Sequence, residues 1–509
     1  MKILDCTLRD GGYYTNWDFE STLFQEYLVT MNELPIEYIE IGYRQPLKGK
    51  YMGECAYLPI QTICKIQKYA PNKKLAIMLN VKDINEETIS QLLLPLVGAV
   101  SLIRFAVAPN DIERAISFFR ETKKLGFSVS ANIMYMSTWQ TNELFWTKLS
   151  LLDGCVDIVC MVDSFGSIYP NEIPQIVNKL RHSISVPIGF HGHDNMTLAF
   201  ANTLAALQSG CEYVDSTIMG MGRGAGNLRT ELLMAYCNKS DGSINLNGLV
   251  DLVARFTHLR DIYQWGTNIP YMISGANSLP QKDIMSLLSQ KRYSVARIVR
   301  QLQNNLNPNI TNKYPLIQEN KRHEDVILIG GGDSVFVHTD AILNYLSKNQ
   351  SKPVCFLSAK SLSLFTGIQN PRYICLIGNE GARVEKNKDY LLPDDVFVLS
   401  DTRSTETYVP DCIINNTFIV SMQNNECGAD YIDAPLALAM ELVPCISHSR
   451  LVLLIGMDGY VETGRANMYD MMLENQSIID EYSQQYFYRS LLPTKYNNVE
   501  HSSIYGELI

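Results

Sequence analysis

Along the first half of the chain, short apolar runs alternate with longer stretches whose apolar positions recur at helical spacing. Eight runs read as strands: Lys2–Asp5, Tyr38–Gly42, Leu75–Asn80, Ser101–Ala106, Ser128–Met134, Ile158–Asp163, Ile188–His191 and Tyr213–Ser216. Most are continuously apolar, as strands covered on both faces should be. Between the last two, Leu198, Ala201, Leu204 and Ala205 share a helical face, and Gly210 stands where a C-cap belongs. Eight strand–helix units in about 235 residues predict a (β/α)8 TIM barrel, whose usual length is about 250 residues. From Asn245 to Gln303 the spacing of Leu249, Leu252, Val253, Phe256 and Leu259 predicts appended helices. The chain then turns polar, with prolines and asparagines, over Asn304–Asp325. A second strand–helix alternation comes next, with strands expected at Val326–Ile329, Val354–Ser358, Tyr373–Gly378, Val396–Ser400, Ile413–Val420 and Leu451–Gly456. That pattern predicts a Rossmann-like α/β domain. The expected organisation is a barrel over 1–240, a helical extension packed on it over 241–305, a linker over 306–325 and the α/β domain over 326–509.

Composition narrows the class of protein. A net charge of −10 without any dense Lys/Arg run argues against a chain that grips nucleic acid or an anionic membrane. Apolar runs such as Leu451–Gly456 fall far short of the roughly 18 residues of a membrane span. Met1–Gly12 has no apolar core of a signal peptide. The 12 cysteines are scattered and form no CxxC pair, and Cys155, Cys160, Cys355 and Cys375 sit inside apolar runs. This reads as reduced, buried thiols rather than a disulfide framework. The expectation is a cytoplasmic enzyme.

Four motifs fall at the carboxyl ends of predicted barrel strands, the face on which such barrels build their sites. After the first strand, Arg9 and Asp10 place a cation beside a metal-ligating carboxylate, or form a surface ion pair in a turn. After the seventh, His191 and His193 are two apart on an extended chain, so both imidazoles can reach one ion; Asp194 and Asn195 beside them could cap a helix. After the eighth, the glycine-rich loop Gly220–Asn227 lets backbone amides approach an anion, or simply turns the chain, and Asn227 supplies an oxygen to a metal shell. After the sixth, Ser164 offers a hydroxyl to a substrate or an N-cap to a helix.

Together these motifs are far more specific than any one of them. The order Thr7-Leu8-Arg9-Asp10-Gly11, then Val162–Gly166, then His191–Asn195 with Leu198 and Ala201-Asn202, then Val214–Asn227 with Glu231, resembles the metal-dependent aldolase and lyase superfamily with a DRE-type first motif. The likeness is greatest to the 4-hydroxy-2-oxovalerate aldolases, and it covers about residues 1–235. It implies a carbon–carbon lyase that forms or cleaves a bond to the methyl carbon of pyruvate through a metal-stabilised enolate, with an aldehyde as partner. It further implies Mn2+ or Mg2+, or Zn2+, on Asp10, His191 and His193, with Asn227 as a further ligand. Arg9 would stabilise the enolate, and Arg9, Ser164 and His191 would contact substrate. That family places a histidine base where this chain has Tyr13, so Tyr13 becomes the candidate for proton transfer at the aldol hydroxyl. The absence of cysteine from Gly220–Asn227 disfavours hydroxymethylglutaryl-CoA lyase. A Claisen-type acyl-CoA condensing synthase is the enzymatic alternative.

In the second domain, Gly330-Gly331-Gly332 after a strand looks like a phosphate-binding turn, although it is not GxGxxG. Gly378–Gly381 and Gly456–Tyr460 come after strands in the same way. The pattern resembles Rossmann-like domains that handle nucleotide-activated sugars, so a nucleotide or nucleotide-sugar ligand is expected there, with sugar or glycan precursor metabolism as the setting. The alternatives are an oligomerising domain without a ligand and a non-catalytic nucleotide-sugar-binding protein. A homo-oligomer is expected.

Overall fold

The computed structural model describes residues 1–289, 293–306, 314–318, 322–400, 408–414, 418–422, 434–460 and 466–509. It forms two compact units, Met1–Met285 and Ser286–Ile509. In the first, eight parallel strands close a barrel in sequence order: β1 (Lys2–Asp5), β2 (Tyr38–Tyr43), β3 (Lys74–Asn80), β4 (Leu102–Val107), β5 (Ser128–Ile133), β6 (Ile158–Asp163), β7 (Ile188–Gly192) and β8 (Tyr213–Ser216). Closure is made by β1 against β8, with Asp5 level with Ser216.

Strand alternation sorts the side chains. Leu4, Cys6, Tyr38, Ala76, Leu102 and Ile158 form an apolar floor inside the barrel. Outward residues such as Ile39, Ile77 and Phe105 join the shell between strands and helices. The helix Ile112–Lys124 shows how that shell is made. Ile112, Ala115, Phe118, Phe119 and Thr122 are buried along one stripe, and Phe119 meets Phe105 edge-on at 5.2 Å. Lys123 and Lys124 close its last turn, where the helix dipole favours cations.

The helices Asn247–Tyr263 and Ile269–Ala276 belong to the barrel unit, tied in part by Asn195 Nδ2, which donates to Tyr271 O and Ser274 Oγ. The extension expected over 241–305 is divided, however. Val295–Asn305 groups with the second unit, because Arg297, Ile298, Gln301 and Leu302 bury a common face and Arg297 Nε donates to Gly378 O. Of the expected linker, 307–313 and 319–321 lie outside the described residues. Its described parts pair with the second unit: Ile317 N donates to Ser421 O, and Arg322 N to Ile446 O.

Among the described residues the second unit is built on an eight-stranded parallel sheet: β9 (Val326–Ile329), β10 (Val354–Phe356), β11 (Arg372–Cys375), β12 (Val396–Ser400), β13 (Ile419–Met422), β14 (Leu451–Ile455), β15 (Phe487–Ser490) and β16 (Glu500–His501). Its order is β13-β12-β11-β10-β9-β14-β15-β16. The chain steps outward from β9 to β13 and then returns to the other side of β9, which makes a switch point between β9 and β14. The Rossmann-like class holds, with two corrections. The strand expected over Ile413–Val420 is Ile419–Met422, since Asp411–Ile414 is a helical turn after Pro410, whose fixed φ suits a helix start, and 415–417 lie outside the described residues. The pair β15 and β16 has no strong sequence signal because both strands are short and carry polar residues.

Among the described residues the cysteines are free, and no helix is long and apolar enough to cross a membrane.

Candidate active site

The Asp5 carboxylate at the end of β1 anchors the turn that leaves the strand. Oδ1 accepts the Thr7 amide at 2.9 Å and the Tyr27 hydroxyl at 2.6 Å, and Oδ2 accepts the Thr230 hydroxyl at 2.6 Å. The chain then makes one buried helical turn, Thr7–Asp10, which delivers Arg9 and Asp10 to a cavity at the mouth of the barrel. From β7 come His191 and His193. The donor atoms of Asp10, His191 and His193 all lie within 4.8 Å of one another, and all three residues are buried.

Both imidazoles are oriented from behind. His191 Nδ1 is 2.9 Å from Asp215 Oδ2, and His193 Nδ1 is 2.8 Å from the Asp163 carbonyl oxygen. A carboxylate and a carbonyl can only accept, so each Nδ1 carries a hydrogen, which leaves Nε2 as the nitrogen able to meet a metal. Burial, with His191 and Arg223 nearby, pushes the His193 imidazole down to about 3 against the opposing pull of Asp10, so it is neutral at physiological pH. Burial pulls the Asp10 carboxyl upward, but Arg9, the two histidines and Asn227 outweigh it and hold it at about 2.

A chain of buried ions lies beneath. Arg9 Nη1 donates to Asp10 Oδ1 at 2.6 Å and Arg9 Nε to Glu40 Oε2 at 2.8 Å. Arg104 pairs with the same Glu40 oxygen at 3.2 Å and also with Asp215. Two guanidiniums thus face three carboxylates, Asp10, Glu40 and Asp215, a net of one negative charge. Asn227 Nδ2 donates to Asp10 Oδ2 at 2.5 Å, while its buried Oδ1 has no hydrogen-bond partner. Two buried imidazoles held through Nδ1, a carboxylate, excess negative charge and an orphaned amide oxygen together fit a divalent cation. A second cluster, Cys6, His191 and Asp215, fits one poorly. Burial pushes the Cys6 thiol well up, and Asp215 already holds His191 Nδ1.

The cavity holds about 150 Å3 and is lined by Arg9, Asp10, Tyr13, Tyr43, His191, His193 and Arg223 among others. Tyr13 OH is 3.0 Å from Tyr43 OH, and its ring meets Trp17 edge-on at 5.0 Å. Arg9 Nη2 takes no protein partner among the described residues. Asn227 sits behind Asp10 rather than on the cavity wall. Ser164 is also off the wall: its Oγ accepts the Tyr135 amide at 2.8 Å, which positions a loop whose Tyr135 does line the cavity. Nor does Ser164 cap a helix, since the neighbouring Asp163 carboxylate accepts the Ser167 and Ile168 amides. The glycines of Gly220–Asn227 serve close packing. A Cβ on Gly222 would lie 2.5 Å from Asn227 Nδ2, and Gly226 has φ 84° with Gly220 O 2.3 Å from its Cβ position. Sequence reasoning missed Glu40, Arg104 and Asp215. The available signal was a charge inside each of three otherwise strand-like runs.

In the second unit, a cavity of about 500 Å3 opens at the switch point, where open parallel sheets hold their ligands. Gly330, Gly331 and Gly332 line it with Lys360, Arg383 and Asp458. A Cβ on Gly332 would lie 2.4 Å from Asp458 Cγ, and that carboxylate accepts both the Ser334 amide and its hydroxyl. The amide at this turn is therefore already taken, and the cations on the wall are Lys360, paired with Asp333, and Arg383, paired with Glu380.

A closed eight-stranded barrel with a carboxylate and two histidines at its mouth defines a metal-dependent aldolase or lyase. The HMGL-like profile matches residues 1–262, and the chain belongs to the HMGL-like family. It is 27% identical over 308 residues to oxaloacetate decarboxylase of Mycobacterium tuberculosis, an alignment covering 59% of this chain and 90% of that protein. It is 29% identical over 253 residues to 4-hydroxy-2-oxovalerate aldolase of Geobacillus thermodenitrificans, covering 49% of this chain and 72% of that one. Among solved structures, the N-terminal domain of a candidate aldolase from Bacteroides vulgatus is 48% identical with a TM-score of 0.56, covering 59% of this chain and 99% of that one.

His191→Ala removes one of the three candidate ligands and should abolish stoichiometric binding of Mn2+. Elemental analysis of the purified variant checks this, and a full complement of metal would refute the site.

Proposed function

We propose that the barrel is an aldolase that forms or breaks a bond to the methyl carbon of pyruvate. The observation that carries this reading is Arg9, fixed on two edges by Glu40 and Asp10, with Nη2 unspent beside the metal ligands. Cleavage of 4-hydroxy-2-oxovalerate and decarboxylation of oxaloacetate, the reactions of the two relatives, both leave the enolate of pyruvate and differ in the departing group. The residues common to both tasks are those that hold the enolate. A divalent ion on Asp10, His191 and His193 would polarise the keto oxygen and so favour that enolate. Arg9 presents a preorganised cation and N–H donor to the same developing charge. Asp215 and the Asp163 carbonyl keep both imidazoles aimed, and Glu40 keeps Arg9 from turning away. Tyr13, on the cavity wall with its hydroxyl next to that of Tyr43, occupies the place for exchanging a proton with the aldol hydroxyl. Ser164 contributes by fixing Tyr135.

The deciding experiment is exchange of the pyruvate methyl protons for deuterium in the presence of Mn2+, without acyl-CoA. Exchange supports the aldolase reading. A requirement for acyl-CoA would indicate a condensing synthase, and no carbon–carbon chemistry at all would leave a binding protein. For the second unit, the size and switch-point position of the cavity support a nucleotide-bearing ligand, whose phosphates would draw Lys360 and Arg383 from their pairs with Asp333 and Glu380.

Arg9→Lys should cut aldol turnover about 10–100-fold while metal content stays near wild type, because a point charge cannot reproduce the guanidinium's parallel hydrogen bonds. An unchanged rate would remove Arg9 from the enolate. Tyr13→Phe should lose at least about a hundredfold in cleavage yet retain proton exchange with pyruvate; near-normal cleavage would leave Tyr13 as a shape-determining residue. Calorimetry of the full chain against nucleoside diphosphates and nucleotide sugars should show binding that weakens in Arg383→Gln, and silence at millimolar concentrations would refute the second-unit ligand.

A further inference from the structure

We infer that Arg223 is the anion-recognising residue of the acceptor half of the barrel site, so that the aldehyde partner carries a phosphate or carboxylate. This rests on the aldolase reading above and deepens it.

The observation is an unspent cation. Arg9 and Arg104, the other guanidiniums in or beneath the site, each face two carboxylates. Arg223 lines the same cavity, half-buried, and among the described residues its side chain has neither an ion pair nor a hydrogen bond. It lies instead against the face of Tyr13, with Cζ 5.1 Å from the ring centroid. A guanidinium partly withdrawn from water with no carboxylate paired to it is unfavourable, and its five N–H donors take no protein acceptor among the described residues. The fold holds it there regardless, on the glycine-rich loop after β8, and loops after the last barrel strands are where such barrels commonly bind phosphate.

The proposed reaction assigns the pyruvate enolate to the metal ligands and Arg9, which leaves Arg223 to the other half of the substrate. Arg223 stands over Tyr13, the residue placed at the aldol hydroxyl, and that hydroxyl derives from the aldehyde carbonyl. The anion that answers Arg223 thus belongs to the aldehyde. The exposed Lys82 lines the same cavity and adds a second cation, against which Asp111 is the one further carboxylate on the wall beyond Asp10. Asn80, Asn132, Tyr43 and Tyr135 supply hydrogen-bonding groups suited to hydroxyls. The chemistry described is a short hydroxyaldehyde with one anionic end.

The test uses the full chain loaded with Mn2+ and two matched pairs of acceptors: glyceraldehyde 3-phosphate against glyceraldehyde, and succinic semialdehyde against propionaldehyde. Wild type should prefer the anionic member of at least one pair by about 10–100-fold in kcat/KM, the range of a charge-assisted hydrogen-bonded pair. Arg223→Gln should reduce that preference to less than about threefold, chiefly through the KM for the aldehyde, and Arg223→Lys should restore part of it. The pair showing the preference identifies the anion as phosphate or carboxylate. Pyruvate proton exchange, measured in parallel, separates the role of Arg223 from the reaction class. Exchange without any preference for anionic aldehydes, exchange with no anionic aldehyde accepted, or a preference that survives in Arg223→Gln overturns the role of Arg223 alone. Absence of exchange in wild type overturns the aldolase reading itself.

Discussion

Everything at the mouth of the barrel depends on one buried run of polar contacts: Arg9 to Glu40, Glu40 to Arg104 and Arg104 to Asp215 as ion pairs, and Asp215 to His191 as a hydrogen bond. Its members come from β2, β4, β7, β8 and the turn after β1, so it forms only when the barrel closes. Each charge would be costly to bury alone, and each is tolerable because the next one answers it. One end aims a guanidinium and the other aims an imidazole. The same network that keeps the polar interior stable therefore sets the two groups that the chemistry requires.

The network is also incomplete, and its incompleteness is informative. With Asp10 counted it carries one more negative charge than positive, an Asn227 oxygen beside it is orphaned, and burial keeps His193 neutral. The first two are unfavourable in a protein interior and would be relieved by a divalent cation, and a neutral His193 is able to ligate one. On the wall of the same cavity, Arg223 has the opposite deficit. A site that lacks a cation at its base and an anion at its mouth is electrically matched to a metal and an anionic ligand together.

The second unit shows the limits of a motif without its surroundings. Three consecutive glycines after a strand suggest a phosphate turn. The fold brings Asp458, just beyond β14, against that turn, where it takes the Ser334 amide. The glycines allow this approach, since a side chain on Gly332 would collide with the carboxylate. The ligand-sized cavity lies where the strand order reverses, a location decided by the order in which strands pair.

Much of this protein was legible in the chain alone, and the reason is locality. All eight barrel strands follow from runs of apolar residues, because a strand buried on both faces has no alternative composition. Arg9 with Asp10, and His191 with His193, are neighbours in sequence, so strand and turn geometry already pairs them. Charges isolated in apolar runs, Glu40, Arg104 and Asp215, carried no readable partner, since the residues that answer them are 31 to 111 positions away. Ser164 and Asn227 have side chains capable of several roles, and only their packed neighbours select among them. The sequence by itself determined which elements form and which residues could ligate a metal. The tertiary structure decided which charges neutralise one another and which are left for a metal and a substrate, because that accounting depends on distances across the barrel that no local pattern encodes.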